Sequence, residues 1–147
     1  MSVNPDVAGR SYPPAPPFQV GREAVRAFAS AVQAQHPALH DVEAARALCH
    51  ADLLAPPTFA VVIAQRAEAA AVNDPEVGID FSRVVHGEER FALARPIVAG
   101  DVLVPTLTVE SVRLVGGNAM ITTSVAMADE QGEHVAAVRS SLVVRGE

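Results

Sequence analysis

Five histidines, one cysteine and 17 carboxylates are the groups in this 147-residue chain that could move protons or hold a metal. His36 and His40 stand four apart, a spacing that puts two side chains on one face of a helix, and Asp41 follows. Metal sites use three or four ligands. Pro37 interrupts this set, so the segment reads as a turn with solvent-facing polar residues, and no metal is expected. Cys49 and His50 are neighbours, but a nucleophilic thiol needs its base in hydrogen-bond contact, which adjacency does not provide. Cys49 reads as a partly buried residue at a helix end. His134, beside Glu133 after a tight turn, reads as a surface residue at a strand end. His86 is different. Val84-Val85-His86-Gly87-Glu88-Glu89 sets an imidazole and carboxylates around a glycine, and glycine in a strand marks a bulge or a close backbone approach. Two readings stay open for His86: a solvent-facing residue on a bulged strand, or a polar group lining a ligand tunnel or subunit interface. There is no Gly-x-Ser-x-Gly elbow, phosphate-cradling loop or dinucleotide fingerprint.

The composition narrows the chemistry further. Net charge is −6, aromatics make up 4 % and tryptophan is missing, which argues against a nucleic-acid surface built from basic patches and stacking rings. Any anion site must be local, with Arg83, Arg90 and Arg95 as candidates. The longest apolar stretch, Leu53 to Ala64, holds Pro56 and Pro57 and falls short of the roughly 20 residues of a membrane span. Residues 1–10 lack a basic region followed by an apolar run, so no signal peptide is expected. That, with a lone cysteine, points to a cytoplasmic location. Hydrophobic residues reach 50 %, mostly alanine and valine, so the core must be built from small aliphatics.

The elements that would position these groups run helices first, strands second. Residues 1–17 read as an extended, proline-rich arm, because Tyr12-Pro13-Pro14-Ala15-Pro16-Pro17 excludes helix and inner strand. Phe18-Gln19-Val20 is a short strand. Arg22 to Gln33 is a helix with Val25, Phe28, Ala29 and Val32 on one face. Asp41 caps a second helix over Val42 to Cys49. Thr58 is expected to cap a third, Phe59 to Val72, which is apolar nearly all round and therefore buried. From Phe81 strand signals take over: a strand region around His86-Gly87, a long strand Val102 to Val115 with a bulge near Glu110-Ser111, a turn at Gly116-Gly117-Asn118, a strand Met120 to Ala128, and a last strand His134 to Val144. This is an α+β domain over residues 18–147, with a curved antiparallel sheet wrapping a long apolar helix.

Three segments together resemble the MaoC-like (R)-specific enoyl-thioester hydratase/dehydratase superfamily: Leu54-Ala55-Pro56-Pro57-Thr58-Phe59, Val85-His86-Gly87-Glu88, and Phe91-x-x-x-Arg95-Pro96-Ile97-x-x-Gly100-Asp101. Their order and spacing carry the resemblance, which runs from Val7 to Val144. The chain is most similar to the N-terminal, non-catalytic half of double-hot-dog hydratases and to the substrate-binding subunits of actinobacterial (3R)-hydroxyacyl-carrier-protein dehydratases. The resemblance implies a single hot-dog domain and no cofactor.

That family's chemistry uses an Asp and a His to shuttle protons at the thioester, with backbone N–H groups at a helix start polarising the thioester oxygen. Its motif, Gly-Asp-x-Asn-Pro-(apolar)-His, aligns through Pro37 and puts Ala34 at the Asp position and Leu39 at the His position. Neither transfers a proton. His40 is one residue out of register, about 100° round a helix, a weak substitute. The resemblance therefore implies a non-catalytic, acyl-chain-binding half, inactive alone, that acts as part of a hydro-lyase with a catalytic hot-dog partner. Pro57, Thr58, Phe59, His86, Gly87 and Glu88 are the expected substrate-binding or interface residues. Acyl-CoA or acyl-carrier protein is the expected ligand, and edge-to-edge pairing of sheets the expected mode of homodimer or heterodimer formation. A self-sufficient homodimeric hydratase using His40 or His86, or an acyl-CoA-binding homodimer without turnover, are the alternatives.

Overall fold

The structure, a computed structural model, describes residues 2–146. Its helices are α1 (Arg22–Ala31), α2 (Val42–Ala47) and α3 (Ala60–Val72), and its strands β1 (Phe18–Gln19), β2 (Val84–Leu93), β3 (Val102–Val115), β4 (Asn118–Ala128) and β5 (His134–Val144). The strands form one antiparallel sheet in the order β1-β3-β4-β5-β2. Alternation along the first half of β3, up to Val109, and along β4 puts Leu103, Leu107, Val109, Ile121, Val125 and Met127 on the concave face, where α3 packs across β3, β4 and β5. The register slips between Val109 and Ser111 and between His86 and Glu88. These two bulges help the sheet to curl.

Ala60, Ala64, Ala67 and Ala71, with Ile63, line the buried side of α3, so the small side chains let the helix lie close on the sheet. The opposite side, Gln65, Arg66 and Ala70, is exposed. The expectation of burial all round is thus corrected: one helix against one sheet layer leaves a face uncovered. The expected Thr58 cap is also absent. Pro57–Phe59 already winds as a 3-10 turn, which carries Thr58 inside the helical path, and no side chain caps α3. α1 and α2 stop two residues earlier than expected, because Gln33 and Cys49 adopt φ of 58° and 65°, where a helix cannot continue.

The N-terminal segment is pinned along the outer edge of β3. Gly9, Tyr12 and Ala15 donate their N–H groups to Val109, Leu107 and Pro105 at 2.7, 2.9 and 2.9 Å. A 3-10 turn at Pro5–Val7 precedes this stretch, and Val3 and Val7 sit in the core. Asp74, just past α3, receives Arg10 Nη1 at 2.9 Å and the Tyr12 hydroxyl at 2.8 Å. The Tyr12 and Arg10 hydrogen bonds hold the Asp74 carboxyl below the usual range. With β3 covered, the open edge among the described residues is that of β2, which pairs with β5 alone. An unpaired edge is a template for another chain.

Candidate functional site

The loop between α1 and α2 occupies the place where a proton-transfer pair is expected. Ala34 is half-buried and Leu39 is buried. The two nearby imidazoles are engaged in holding the loop: His36 Nδ1 accepts from the Ala38 N–H at 3.2 Å, and His40 Nε2 lies 2.8 Å from the Ala34 carbonyl. Arg26 Nε donates to the His40 carbonyl at 2.9 Å. The loop abuts the helix approach, because Leu54 donates to the Ala38 carbonyl at 3.0 Å. From there the chain passes Pro56 and Pro57 into the start of α3. Phe59 is fully buried there, edge-on to Phe18 at 6.2 Å and to Phe28 at 5.5 Å. Pro57 and Thr58 are exposed beside it. At the two positions singled out from the sequence, Ala34 and Leu39, the side chains are aliphatic, and His36 and His40 beside them hold the loop.

β2 divides the second expected set. His86 is the register partner of Leu142, on the concave face, whereas Glu88 partners Ser141 on the convex face. Gly87 is the extra residue of the bulge between them. A Cβ on Gly87 would meet the Ser141 carbonyl oxygen at 3.5 Å, ordinary contact, so no close approach demands glycine. Glu88 pairs with Arg90 at 2.9 Å. His86 Nδ1 instead lies 2.9 Å from Glu89 Oε1, and Glu89 Oε2 accepts from the Ser140 hydroxyl at 2.8 Å. The turn Pro57–Phe59 packs against β2, but among the described residues no hydrogen bond joins Thr58 to His86.

The remaining residues singled out in the sequence place simply. Cys49 is exposed rather than partly buried, in its left-handed turn. His134 opens β5 at the surface. Each candidate anion-binding arginine faces a carboxylate: Arg83 and Asp80 at 3.3 Å, Arg90 and Glu88, and Arg95 with both oxygens of Asp101 at 2.8 and 3.0 Å. The Asp101 hydrogen bonds raise the Arg95 guanidinium above its usual value. Arg95 and Asp101 thus clamp the β2–β3 connection.

Two features escaped the sequence. The first is a polar row across the concave face. Antiparallel partners share a face, and Glu89, Ser140 and Thr123 are successive partners across β2, β5 and β4. Above Thr123 lies Glu68 of α3, 5 % exposed, whose Oε1 accepts the Thr123 hydroxyl at 2.9 Å. Its position was readable: Glu68 follows Ala60 and Ala64 at four-residue spacing, and Thr123 and Ser140 fall in the inward phase of their strands. The second is a cavity of about 670 Å³ at the C-terminal end of α3, with Val72, Ile79, Ala119 and Val144 in its walls and Arg83 and Arg145 at its rim. That volume lies within the usual range for small-molecule sites.

A helix lying along a curled five-stranded antiparallel sheet, preceded by a loop at the helix start, defines a hot-dog protein of the MaoC-like dehydratase superfamily. Within that class the chain belongs to the family described as FAS1-like, dehydratase domain region, whose model matches residues 7–138. It is 54 % identical over 147 residues to a UPF0336 protein of Leifsonia xyli subsp. xyli, covering all of this chain and 99 % of that one. It superposes on a chain of the HadBC (3R-hydroxyacyl-ACP dehydratase) complex of Mycobacterium tuberculosis with a TM-score of 0.85, at 32 % identity, covering 94 % of this chain and 97 % of that one. A second structure, a MaoC-like dehydratase, gives 0.87 at 35 % identity, covering 95 % of this chain but 42 % of the longer chain.

Proposed function

We propose that this chain is the acyl-chain-binding, non-catalytic subunit of a (3R)-hydroxyacyl-thioester dehydratase. The observation that carries the reading is the pair Ala34 and Leu39 at the positions where the family's Asp and His transfer protons, in a fold that is otherwise kept. Dehydration removes a proton from C2 and hydroxide from C3 and forms the C2=C3 bond; hydration is the reverse. Both steps need an acid–base pair at the thioester, so a catalytic hot-dog partner supplies it.

The open β2 edge is the docking surface for that partner. Antiparallel pairing of β2 with the equivalent strand across a two-fold axis sets the N-terminal end of β2 beside the C-terminal end of its mate. In this chain the cavity, lined by Arg83 and Val144, adjoins Val84 at the first end. The cavity therefore lies beside the partner's helix start, where the partner's thioester chemistry takes place, and receives the acyl tail. The carrier is coenzyme A or acyl-carrier protein.

Affinity purification of the tagged chain from its own cells tests the pairing. A second hot-dog chain bearing the Asp and His motif is the expected companion; recovery of a pure homodimer argues against it. One observation favours a homodimeric hydratase instead: the His86–Glu89 pair is a carboxylate-oriented imidazole on the uncovered concave face. Hydration of a short trans-2-enoyl-CoA by the chain alone, lost in His86→Ala, would establish that alternative.

A further inference from the structure

We infer that His86, oriented by Glu89 and Ser140, reaches across the β2 edge into the partner's site and holds the water that adds to, or leaves from, C3. The inference rests on the proposed pairing with a catalytic hot-dog subunit and deepens it: the working site takes one residue from this chain. α3 packs across β3, β4 and β5, and the concave face at β2 stays open, with the His86 side chain 41 % exposed. The place of His86 along β2 sets what it faces. In this chain the approach to α3 is tied to the β2–β3 connection, through the Ala55 N–H on the Ile97 carbonyl at 2.9 Å and a bridge between Leu54 and Val98. The start of α3 therefore stands at the C-terminal end of β2. A partner of the same fold has its helix start at the same end of its own β2. Antiparallel pairing across a two-fold axis sets that end beside Val84, Val85 and His86, and paired strands lie about 4.8 Å apart. His86 thus faces the partner's helix start from the concave side.

The hydrogen bonds decide what the imidazole offers. Glu89 is the register partner of Ser140, which is 1 % exposed. Glu89 Oε2 accepts the Ser140 hydroxyl at 2.8 Å, and Oε1 lies 2.9 Å from His86 Nδ1. A carboxylate only accepts, so Nδ1 carries the hydrogen and Nε2 is left as an acceptor. The Glu88–Arg90 pair on the convex face has no such buried anchor. In dehydration the partner's acid–base pair takes the C2 proton and protonates the C3 hydroxyl; the C2–H electrons become the C2=C3 bond, and the C3–O electrons leave with water. The hydroxyl's own hydrogen is not transferred. With that hydrogen held by His86 Nε2, an oxygen lone pair faces the partner's acid. In hydration the same contact holds the attacking water, whose other proton goes to the partner's base.

The test is steady-state hydration of a short trans-2-enoyl-CoA by this chain combined with a hot-dog subunit that carries the Asp and His motif. His86→Ala is expected to lower kcat by about tenfold or more, the scale on which a lost orienting contact acts. KM should stay within about twofold, because the enoyl thioester has no 3-hydroxyl for Nε2 to hold. Glu89→Gln should lose as much kcat with His86 in place. Ser140 still donates to the amide oxygen, so the amide –NH2 meets Nδ1, and the imidazole hydrogen moves to Nε2, which then no longer accepts. Size-exclusion chromatography checks that each variant still pairs; if His86→Ala does not, Glu89→Gln, which keeps its size, carries the expectation alone. A smaller loss of kcat, or a loss carried by KM, makes His86 a wall or a structural contact and overturns the role in the partner's site while the pairing stands. Turnover by this chain alone, or none by the wild-type pair, overturns the pairing itself.

Discussion

Removing the Thr123 hydroxyl while keeping its shape, as Thr123→Val, leaves Glu68 with a carboxyl 5 % exposed and no donor. A buried polar group stripped of its partner costs about 1–3 kcal/mol. Glu68→Leu alone produces the converse defect, since Thr123 is 2 % exposed and its hydroxyl loses its acceptor. Combining the two removes both polar groups at once and restores an apolar contact between α3 and β4. The double variant is therefore expected to be more stable than the sum of the single losses predicts, by about 1–2 kcal/mol of coupling. Urea unfolding followed by circular dichroism measures all four proteins, with the free energy taken from midpoint and slope. Single losses below about 0.5 kcal/mol, or additivity within about 0.5 kcal/mol, would show that the pair is not a buried, mutually dependent bond.

Phe59→Ala removes the ring that seats the start of α3 against Phe18 and Phe28, and is expected to cost about 3–5 kcal/mol in the same unfolding assay; a loss under 1 kcal/mol contradicts the packing described. Two glycines, one in β2 and one in the loop after α3, should separate sharply. Gly87→Ala meets ordinary contacts and is expected to change stability by no more than about 0.5 kcal/mol, whereas Gly78→Ala, at φ 76° and 2.9 Å from the Ser2 carbonyl, should destabilise measurably and loosen residues 2–7 to proteolysis. Hydrogen bonds from Arg22, then from the Leu53 N–H, lower the Asp52 carboxyl to about 2. Its folded value lies below the unfolded one, so its contribution is present above about pH 4 and is lost as pH falls toward 2. Arg22 is half exposed, so no more than about 1 kcal/mol is expected, and Asp52→Asn should flatten the acid limb of stability against pH in that window.

Much of the fold was legible because its signals are local. The alternation of β3 and β4, the turn at Gly116-Gly117 and the bulge beside Glu110 follow from side-chain period and glycine placement, and the structure reproduces them. The errors lie where one element's environment is set by another. Thr58 has the chemistry of a cap, but two prolines already turn the chain ahead of it. Glu68 has the chemistry of a surface residue, and only its place on the alanine stripe of α3, opposite Thr123, reveals that it is buried. On the proposed reading the site is legible by substitution rather than by presence, with Ala34 and Leu39 at the positions of the family's proton-transfer pair. The polar row and the cavity depend on register between strands distant in sequence, which no single segment encodes.

Hydration of a short trans-2-enoyl-CoA, followed by loss of the enoyl-thioester absorbance, bears most directly on the proposed division of labour. The chain alone, a hot-dog subunit that carries the Asp and His motif, and the two combined are measured at equal concentrations. The chain alone is expected to show no turnover, and its addition to the partner should raise the rate with acyl chains long enough to reach the cavity. Full activity from the chain by itself would contradict the assignment of Ala34 and Leu39 as an emptied catalytic pair.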